Sequence, residues 1–289
     1  MTPGQLVLTG LSRRRLYRTV ATVGWVPAVC AAWMALIVVV AVFGPWITPH
    51  DPDPVDLYNA YAPSSLAHPL GTDESGRDIL SRLIVATGPS LLGPALVATA
   101  AALFGTLLAV TAAWFGGWAD AVLSRTFDIM FALPGLIIAI FAVAIFGPGL
   151  TAPVIALSIA YVPVIGRVLR GAATRERNLP YVAALTVQGA SKLSICLRHV
   201  IPNLLPLLTV QFGLVFSYAI IDLGGISYLG LGLQPPASDW GSLVASGQSA
   251  IMAGYPTQAL AAGAVILITV VSANLLSDRL TQALEMGER

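Results

Sequence analysis

The chain has 289 residues, of which 56% are hydrophobic and only 10% are charged, with a mean hydropathy of +0.81. Soluble domains carry about 25% charged residues, so this composition excludes a soluble globule and indicates a protein that crosses a membrane several times. The net charge of +1 at pH 7 gives no reason to expect a nucleic-acid partner.

The cysteines and histidines indicate no crosslink and no metal centre. Cys30 and Cys196 fall in separate segments, so no disulfide framework is expected. Together with three widely scattered histidines they show no metal-ligand spacing. The first apolar run follows SRRRLYR, but it is long enough to span a bilayer and no small-residue cleavage site closes it. We therefore expect no cleaved signal peptide.

Six apolar runs with few charges predict an all-α membrane protein with six transmembrane helices. A polar segment at 1–24 precedes the transmembrane domain at 25–276, and a tail at 277–289 follows. Gly44-Pro45 is expected to end the first span. The spans are predicted at 25–43, 91–114, 129–146, 153–168, 204–221 and 257–276, with a loop rich in Pro, Asp and Ser at 44–90 and a polar segment at 169–203.

Basic residues predict the orientation of these spans. Six spans put both termini on one side. With that side in the cytoplasm, thirteen Lys and Arg residues lie inside and two, Arg77 and Arg82, lie outside. An excess of basic residues marks cytoplasmic segments. We therefore expect a multi-pass protein of the cell inner membrane, with cytoplasmic termini, an external loop at 44–90 and a cytoplasmic segment at 169–203.

The segment 167–203 is polar with a helical pattern, and it cannot lie in hydrocarbon. Small residues recur at helical spacing in Tyr181–Ser191, and a second short helical run follows that Pro202 is expected to stop. Joined at Gly189, the two runs form a protrusion that we call the polar knob (residues 181–203). The knob could dock into a groove on a soluble protein. Physics alone equally allows an ordinary interfacial loop between two spans.

The knob sequence YVAALTVQGASKLSICLRHVIPN resembles the cytoplasmic coupling loop of ABC importer permeases. The family pattern is Glu-Ala-Ala, three further residues, Gly, and later Ile, His, Pro and Asn. This chain departs from it at Ala183, where the family has Glu, and at Leu185, where it has the second Ala. The resemblance implies that an ATPase contacts a coupling set made up of Ala183, Ala184, Gly189, Ala190, Ser191, Ile195, His199, Pro202 and Asn203.

Two further motifs resemble the dipeptide, oligopeptide and nickel permeases of the second-subunit, dipeptide-permease-C-like type. They are HPLGTDESGRDILSRLI (His68–Ile84) and YLGLGLQPPASDWGSL (Tyr228–Leu243). With the knob, the resemblance extends from Trp25 to the end of the chain. It implies a type I ABC importer permease fold with a cytoplasmic coupling helix. It also implies a homologous first-type permease, two ATP-binding subunits or one fused ATPase, an extracytoplasmic solute-binding protein and membrane lipid as partners.

Four charged residues of both signs fall close together in the first of these motifs: Asp73, Arg77, Asp78 and Arg82. They are expected to pair and to hold the loop rigid. The resemblance favours a role for them, together with Trp240 of the second motif, in contact with the solute-binding protein. The alternative is a salt-bridged loop in solvent with no partner.

Asp222 is an acidic residue in an apolar stretch near the end of the fifth span. A carboxylate inside a membrane is a candidate functional group by default, and this one could face the translocation path and meet the ammonium group of a peptide. The alternative places it in the water interface, because Gly224 and Gly225 suggest that the helix ends there.

The sequence predicts a non-catalytic permease subunit of an ATP-driven importer of dipeptides or oligopeptides. It carries no phosphate-binding loop, so ATP and Mg²⁺ are expected on partner subunits and no cofactor is expected on this chain. Ser191 and His199 lack a third catalytic group. The family also transports nickel and haem, which remain alternative solutes. An ion-coupled secondary transporter is the alternative from another class, although that class uses more intramembrane charges.

Overall fold

The structure is a computed structural model that describes the backbone of residues 25–287 and the side chains of residues 25–282. The predicted N-terminal segment, 1–24, and the last two residues of the predicted tail lie outside this range. Within it the chain is helical, with loops between the helices.

Ten α-helices make up the described chain. They are α1 (Trp25–Ile47), α2 (Ile79–Phe115), α3 (Gly117–Phe131), α4 (Gly135–Phe146), α5 (Thr151–Arg177), α6 (Pro180–Val187), α7 (Lys192–Ile195), α8 (Ile201–Tyr228), α9 (Trp240–Met252) and α10 (Thr257–Gly287). A π-helical turn at Cys196–Val200 makes α7 and α8 continuous. Five helical segments are long and apolar enough to cross a membrane, or six if the pair α3 and α4 counts as one span. The prediction of an all-α membrane protein is confirmed.

Helix α2 lies at the centre of the bundle, because α1, α5, α8 and α9 all pack against it. Many of its buried side chains are small, and small side chains let helices approach closely inside a membrane protein. These fully or nearly fully buried residues are Ala86, Ala98, Ala101, Ala109 and Ala113. The facing helix α5 contributes larger buried side chains, Leu157, Ile165 and Leu169. A change in the position of α5 would therefore directly change the packing around α2.

Contacts between distant residues define two ends of the bundle. At one end, the loop 48–78 packs on the start of α10, where the ring of Tyr61 stacks on that of Tyr255 with centroids 4.5 Å apart. At the other end, Arg177 Nη1 donates a hydrogen bond of 2.6 Å to the carbonyl oxygen of Ala113. The loop 48–78 and the polar knob thus lie at opposite ends.

The predicted loop 44–90 is too long at both ends. Helix α1 continues to Ile47, so Gly44-Pro45 lies in its last turn and does not end it. Helix α2 begins at Ile79, twelve residues before the span predicted at 91–114, because Asp78 caps it. The polar residues of 79–90 are compatible with a buried helix since Arg82 is neutralised by an ion pair with Asp73.

The span predicted at 129–146 is not one helix. Helix α3 ends at Phe131 and α4 begins at Gly135, and the two axes differ by 76°. Pro134 explains the break, because proline has no N–H to donate and disfavours a helical conformation of the residue before it.

The predicted coupling segment, 169–203, and the fifth span, 204–221, also have different bounds. Helix α5 runs unbroken to Arg177. Pro202 does not stop a helix; it lies in the first turn of α8, directly after the π-helical turn. Helix α8 continues through Gly224 and Gly225 to Tyr228, so the expectation that it ends at these glycines is wrong.

Gly241 allows α9 to approach the end of α8 closely. A Cβ atom on Gly241, in the first turn of α9, would lie 2.2 Å from the carbonyl oxygen of Gly224. Only glycine fits at such a contact, so α9 and α8 touch backbone to backbone. Asp239 caps α9 by accepting a hydrogen bond from the Ser242 amide at 2.8 Å, and it also accepts one from Ser227 of α8 at 2.6 Å. The motif SDWG therefore fastens α9 to the end of α8.

Candidate functional site

The polar knob consists of two short helices joined by a left-handed turn. Helix α6 ends before Gly189, whose φ of +82° is a conformation that favours glycine. Ser191 then caps α7, accepting a hydrogen bond from the Ser194 amide at 3.2 Å. A small apolar core holds the two helices together: Val182, Ile195, Cys196 and Val200. Ile195, assigned by resemblance to the contact with an ATPase, is completely buried, so its side chain supports the knob from inside.

Glu176 anchors the knob to the end of α5. Its Oε1 atom accepts hydrogen bonds from Asn203 Nδ2 at 2.6 Å and from the Tyr181 hydroxyl at 2.8 Å. Burial and the hydrogen bond to Glu176 raise the pKa of Tyr181 to about 12. The ring of Tyr181 lies 6.3 Å from that of His199. We call Glu176, Tyr181 and Asn203 the latch.

Asn203, His199 and Tyr181 lie in the predicted knob, but the role of Glu176 as its anchor was not predicted. One signal was available, since Glu176 is the single acidic residue between positions 167 and 203. An isolated carboxylate among many cations and amides is a natural acceptor for hydrogen bonds from both.

The outer surface of the knob exposes large apolar side chains. Val187 is 88% exposed, Leu193 is 69% exposed and Leu197 is 55% exposed. Exposed apolar patches of this kind mark sites that contact another protein or a membrane. The smaller residues of the coupling set that are also exposed are Ala183, Ala184, Gly189, Ser191, Pro202 and Asn203, while Ala190 and His199 are half-buried.

The four charged residues of the loop motif form an internal brace. Asp73 makes an ion pair with Arg82, and its Oδ1 accepts hydrogen bonds from the backbone amides of Ser75 and Arg77 at 2.8 and 2.9 Å. The expected pairing of opposite charges is present at Asp73 and Arg82. Arg77 is half-buried, and its Nε atom has no hydrogen-bond partner among the described residues.

Asp78 completes the brace at the start of α2. It accepts hydrogen bonds from the amide and hydroxyl of Ser81 at 2.8 and 2.7 Å, and His68 Nδ1 lies 3.0 Å from its Oδ1. Burial raises the pKa of this carboxyl, but the hydrogen bonds from Ser81 and His68 outweigh it, so the pKa lies below its ordinary value. The brace is therefore held together in its ionised form at neutral pH.

Burial changes the expected role of these residues. Asp73, Asp78 and Arg82 are buried, and Trp240 is only 1% exposed. Such side chains cannot form a contact surface, so a direct contact between them and a binding protein does not fit the structure. The loop instead exposes apolar side chains that sequence analysis did not single out: Val55, Leu57, Tyr58 and Leu66.

Asp222 lies inside helix α8, six residues before its end at Tyr228, or about 9 Å along the axis. Its Oδ2 atom accepts a hydrogen bond of 2.8 Å from the hydroxyl of Tyr161 in α5. Both side chains are half-buried. The pair thus joins α5 to α8 within the bundle, and does not sit at a helix end.

Comparison with known proteins identifies the family. Residues 103–287 match the family model described as binding-protein-dependent transport system inner membrane component. Residues 28–64 match the N-terminal TM domain of oligopeptide transport permease C.

Individual relatives agree. The chain is 36% identical to the probable D,D-dipeptide transport system permease protein DdpC of Escherichia coli K12, over 88% of this chain and 85% of that protein. It is 39% identical to the di/tripeptide transport system permease protein DppC of Pseudomonas aeruginosa, with the same shares covered. It is 36% identical to the glutathione transport system permease protein GsiD of Escherichia coli, over 88% of this chain and 84% of that protein.

Among solved structures, an inward-facing form of the MetNI methionine ABC transporter matches 68% of this chain and 94% of that chain, with a TM-score of 0.49 and 19% identity. The family model covers well over half of the chain, and the relatives are similar along nearly their whole length. The chain therefore belongs to the family of binding-protein-dependent transport system inner membrane components, as a permease subunit of the permease-C type found in peptide ABC importers.

Proposed function

We propose that this chain is one of two homologous permeases in an ATP-driven importer of dipeptides or oligopeptides. The observation that carries the proposal is the polar knob, which exposes Val187, Leu193 and Leu197 while the latch fixes it to α5. The names of the relatives refer to D,D-dipeptides, di- and tripeptides and glutathione, all of which are small peptides.

The partners follow from this assignment. A first-type permease supplies the other half of the translocation path, two ATP-binding subunits or one fused ATPase bind ATP and Mg²⁺, and a solute-binding protein delivers the peptide. This chain is non-catalytic, needs no cofactor and takes the type I permease fold. It lies in the inner membrane among lipid with both termini and the knob in the cytoplasm, and it has no nucleic-acid partner.

The coupling mechanism uses the knob as a lever. ATP binding draws the ATPase subunits together, and a groove on one of them holds the apolar surface of the knob. Because Glu176 ties the knob to the last turn of α5, movement of the knob moves α5. Helix α5 packs on α2 and α8, so its motion changes the arrangement of the central helices and alternates access between the two sides.

At the opposite end, the solute-binding protein contacts the exposed apolar residues of the loop 48–78. The brace formed by Asp73, Arg77, Asp78 and Arg82 holds this loop against α2, and the backbone amide of Trp240 at the start of α9 donates a hydrogen bond of 2.8 Å to Ser90 of α2. These buried residues support the contact without touching the partner.

Nickel and haem are the alternative solutes, and an ion-coupled secondary transporter is the alternative mechanism. The described helices contain few ionisable groups away from their ends, which disfavours ion coupling. The exposed knob favours a soluble partner.

Reconstitution tests the proposal. The isolated chain in liposomes should hydrolyse no ATP and take up no solute. The complete complex should hydrolyse ATP faster in the presence of peptide-loaded binding protein, and should accumulate a labelled dipeptide. Uptake by the isolated chain driven by a proton or sodium gradient would establish the secondary-transporter alternative. Uptake by the complex of nickel or haem but not of peptides would replace the solute.

A further inference from the structure

Two of the three histidines, far apart in sequence, meet in the loop 48–78. His50 follows the end of α1 by three residues, and His68 precedes α2. The centroids of their rings are 4.7 Å apart, with an angle of 34° between the ring planes. Asp78 lies beside both, since its Oδ1 is 3.0 Å from His68 Nδ1 and its Oδ2 is 4.0 Å from His50 Nδ1.

The three side chains are close to the geometry of a metal site. One ligand atom from each lies within 4.8 Å of the other two. In a tetrahedral zinc site with metal–ligand bonds of about 2.1 Å, the ligand atoms are about 3.4 Å apart. Side-chain movements of about 1 Å would therefore close the set around an ion.

Burial of the cluster is graded. The side chain of Asp78 is 1% exposed, that of His68 is 26% exposed and that of His50 is 42% exposed. The cluster thus has a fixed carboxylate at its base and opens to solvent on the side of His50. This opening gives an ion a path into the cluster and leaves room for a water ligand.

The two carboxylate oxygens of Asp78 have separate roles. Oδ2 accepts hydrogen bonds from the amide and hydroxyl of Ser81 and so caps α2. Oδ1 contacts only the imidazole of His68 among the described residues. A metal ion can replace that hydrogen bond without disturbing the cap, and the Nδ1 proton of His68 is released to solvent as the ion binds.

We propose that His50, His68 and Asp78 form a binding site for a divalent transition-metal ion of the zinc type. Two neutral imidazoles and one carboxylate suit Zn²⁺, with water as the fourth ligand. The ion joins the segment after α1 to the start of α2 and thereby stiffens the loop 48–78. It is a resident of the loop and not the transported solute, so the site does not depend on which solute the importer carries.

Zinc binding to the assembled complex tests the site. The complex is purified with a tag that contains no histidine, stripped with EDTA and titrated with Zn²⁺ at pH 7.5 against a competing colorimetric indicator. The wild-type complex should bind one more Zn²⁺ than the double variant His50→Gln, His68→Gln. Each single variant should weaken binding at this site by at least about 10-fold, since even changes outside the metal ligands cost that much.

The third histidine provides a matched control. His199 lies in the polar knob at the opposite end of the bundle, so His199→Gln should retain the full zinc stoichiometry. Zn²⁺ should also raise the melting temperature of the wild-type complex and not that of His50→Gln. His50 makes no hydrogen bond within 3.5 Å to Asp78, so this variant keeps the cap on α2 even if His68→Gln fails to assemble. Binding of Zn²⁺ by His50→Gln with the affinity of the wild type would overturn the proposal.

Discussion

The side-chain amide of Asn203 donates a hydrogen bond of 2.6 Å to Oε1 of Glu176, and so joins the first turn of α8 to the last turn of α5. The knob lies in the chain between these two turns. Movement of the knob therefore moves both helices together. The hydrogen bonds of the latch determine how rigidly the knob is connected to α5.

Removal of the latch carboxylate should uncouple the complex. In Glu176→Ala, neither Asn203 nor Tyr181 retains its acceptor, and we expect the amount of peptide transported per ATP hydrolysed to fall several-fold. Glu176→Gln is the matched control, because its amide oxygen can still accept both hydrogen bonds. Transport and ATP hydrolysis measured on the same proteoliposomes give the ratio. Wild-type coupling in Glu176→Ala would show that the latch transmits no force.

The hydroxyl of Tyr181 makes the stability of the latch dependent on pH. Its pKa in the folded protein is about 12, above the ordinary value of about 10. The hydrogen bond therefore stabilises fully below pH 10, and its contribution is lost as the pH rises through 12. Tyr181→Phe should cost about 1 kcal/mol at pH 8, and the difference from the wild type should shrink between pH 10 and 12. Thermal unfolding of both proteins across this range measures it. A deficit that does not change with pH would contradict the assignment to this hydroxyl.

Two substitutions at Gly189 distinguish the effect of backbone strain from the effect on docking. Its φ is +82°, and a Cβ atom there would have no other atom within 4 Å. Gly189→Ala should cost about 1–2 kcal/mol of strain and leave the outer surface of the knob intact. Gly189→Arg carries the same strain and adds a long charged side chain, so it alone should abolish ATP-driven transport. Equal transport by the two variants would argue against a partner groove around the turn.

The positions of the transmembrane helices are predictable from the sequence where the bilayer sets their length and composition. A span must be apolar and about 20 residues long, so hydropathy located α1, α5, α8 and α10. The predicted start of α2 is wrong, because the polar stretch up to Arg82 indicates a loop although α2 begins at Ile79. In the structure Arg82 has Asp73 as an ion-pair partner and Asp78 is satisfied by Ser81.

The candidate sites also divide into features that the sequence predicts and features that only the fold reveals. Motif spacing identified the knob, because its residues are close in sequence. Glu176 lies outside the motif, and it meets Asn203 only through the folding of the 26 intervening residues. His50 and His68 meet across a loop with no periodic pattern, so their spacing in sequence carried no information about their distance of 4.7 Å.

The orientation of the bundle can be read from cysteine labelling. Leu66 is fully exposed in the loop 48–78 and Arg175 is exposed beside the knob. An impermeant thiol reagent should label Leu66→Cys in cells whose outer barrier is breached, and should label Arg175→Cys only after the inner membrane is opened. The parent protein is the background control, because Cys30 and Cys196 are both buried. The reverse labelling pattern would invert the topology.

The hydrogen bond between Tyr161 and Asp222 allows the charge of Asp222 to be tested apart from its structural role. In Asp222→Asn, the amide oxygen can still accept from the Tyr161 hydroxyl at the present 2.8 Å, but the negative charge is lost. Tyr161→Phe does the opposite, since it keeps the charge and removes the hydrogen bond.

If Asp222 meets the ammonium group of a passing peptide, Asp222→Asn should lower the uptake rate at saturating binding protein by about 10-fold, which corresponds to about 1.4 kcal/mol. Tyr161→Phe should lower the melting temperature and leave most of the uptake rate. Uptake of a labelled dipeptide and thermal unfolding of the same preparations provide both readouts. Wild-type uptake by Asp222→Asn would make this residue a structural tie between α5 and α8 and remove it from the translocation path.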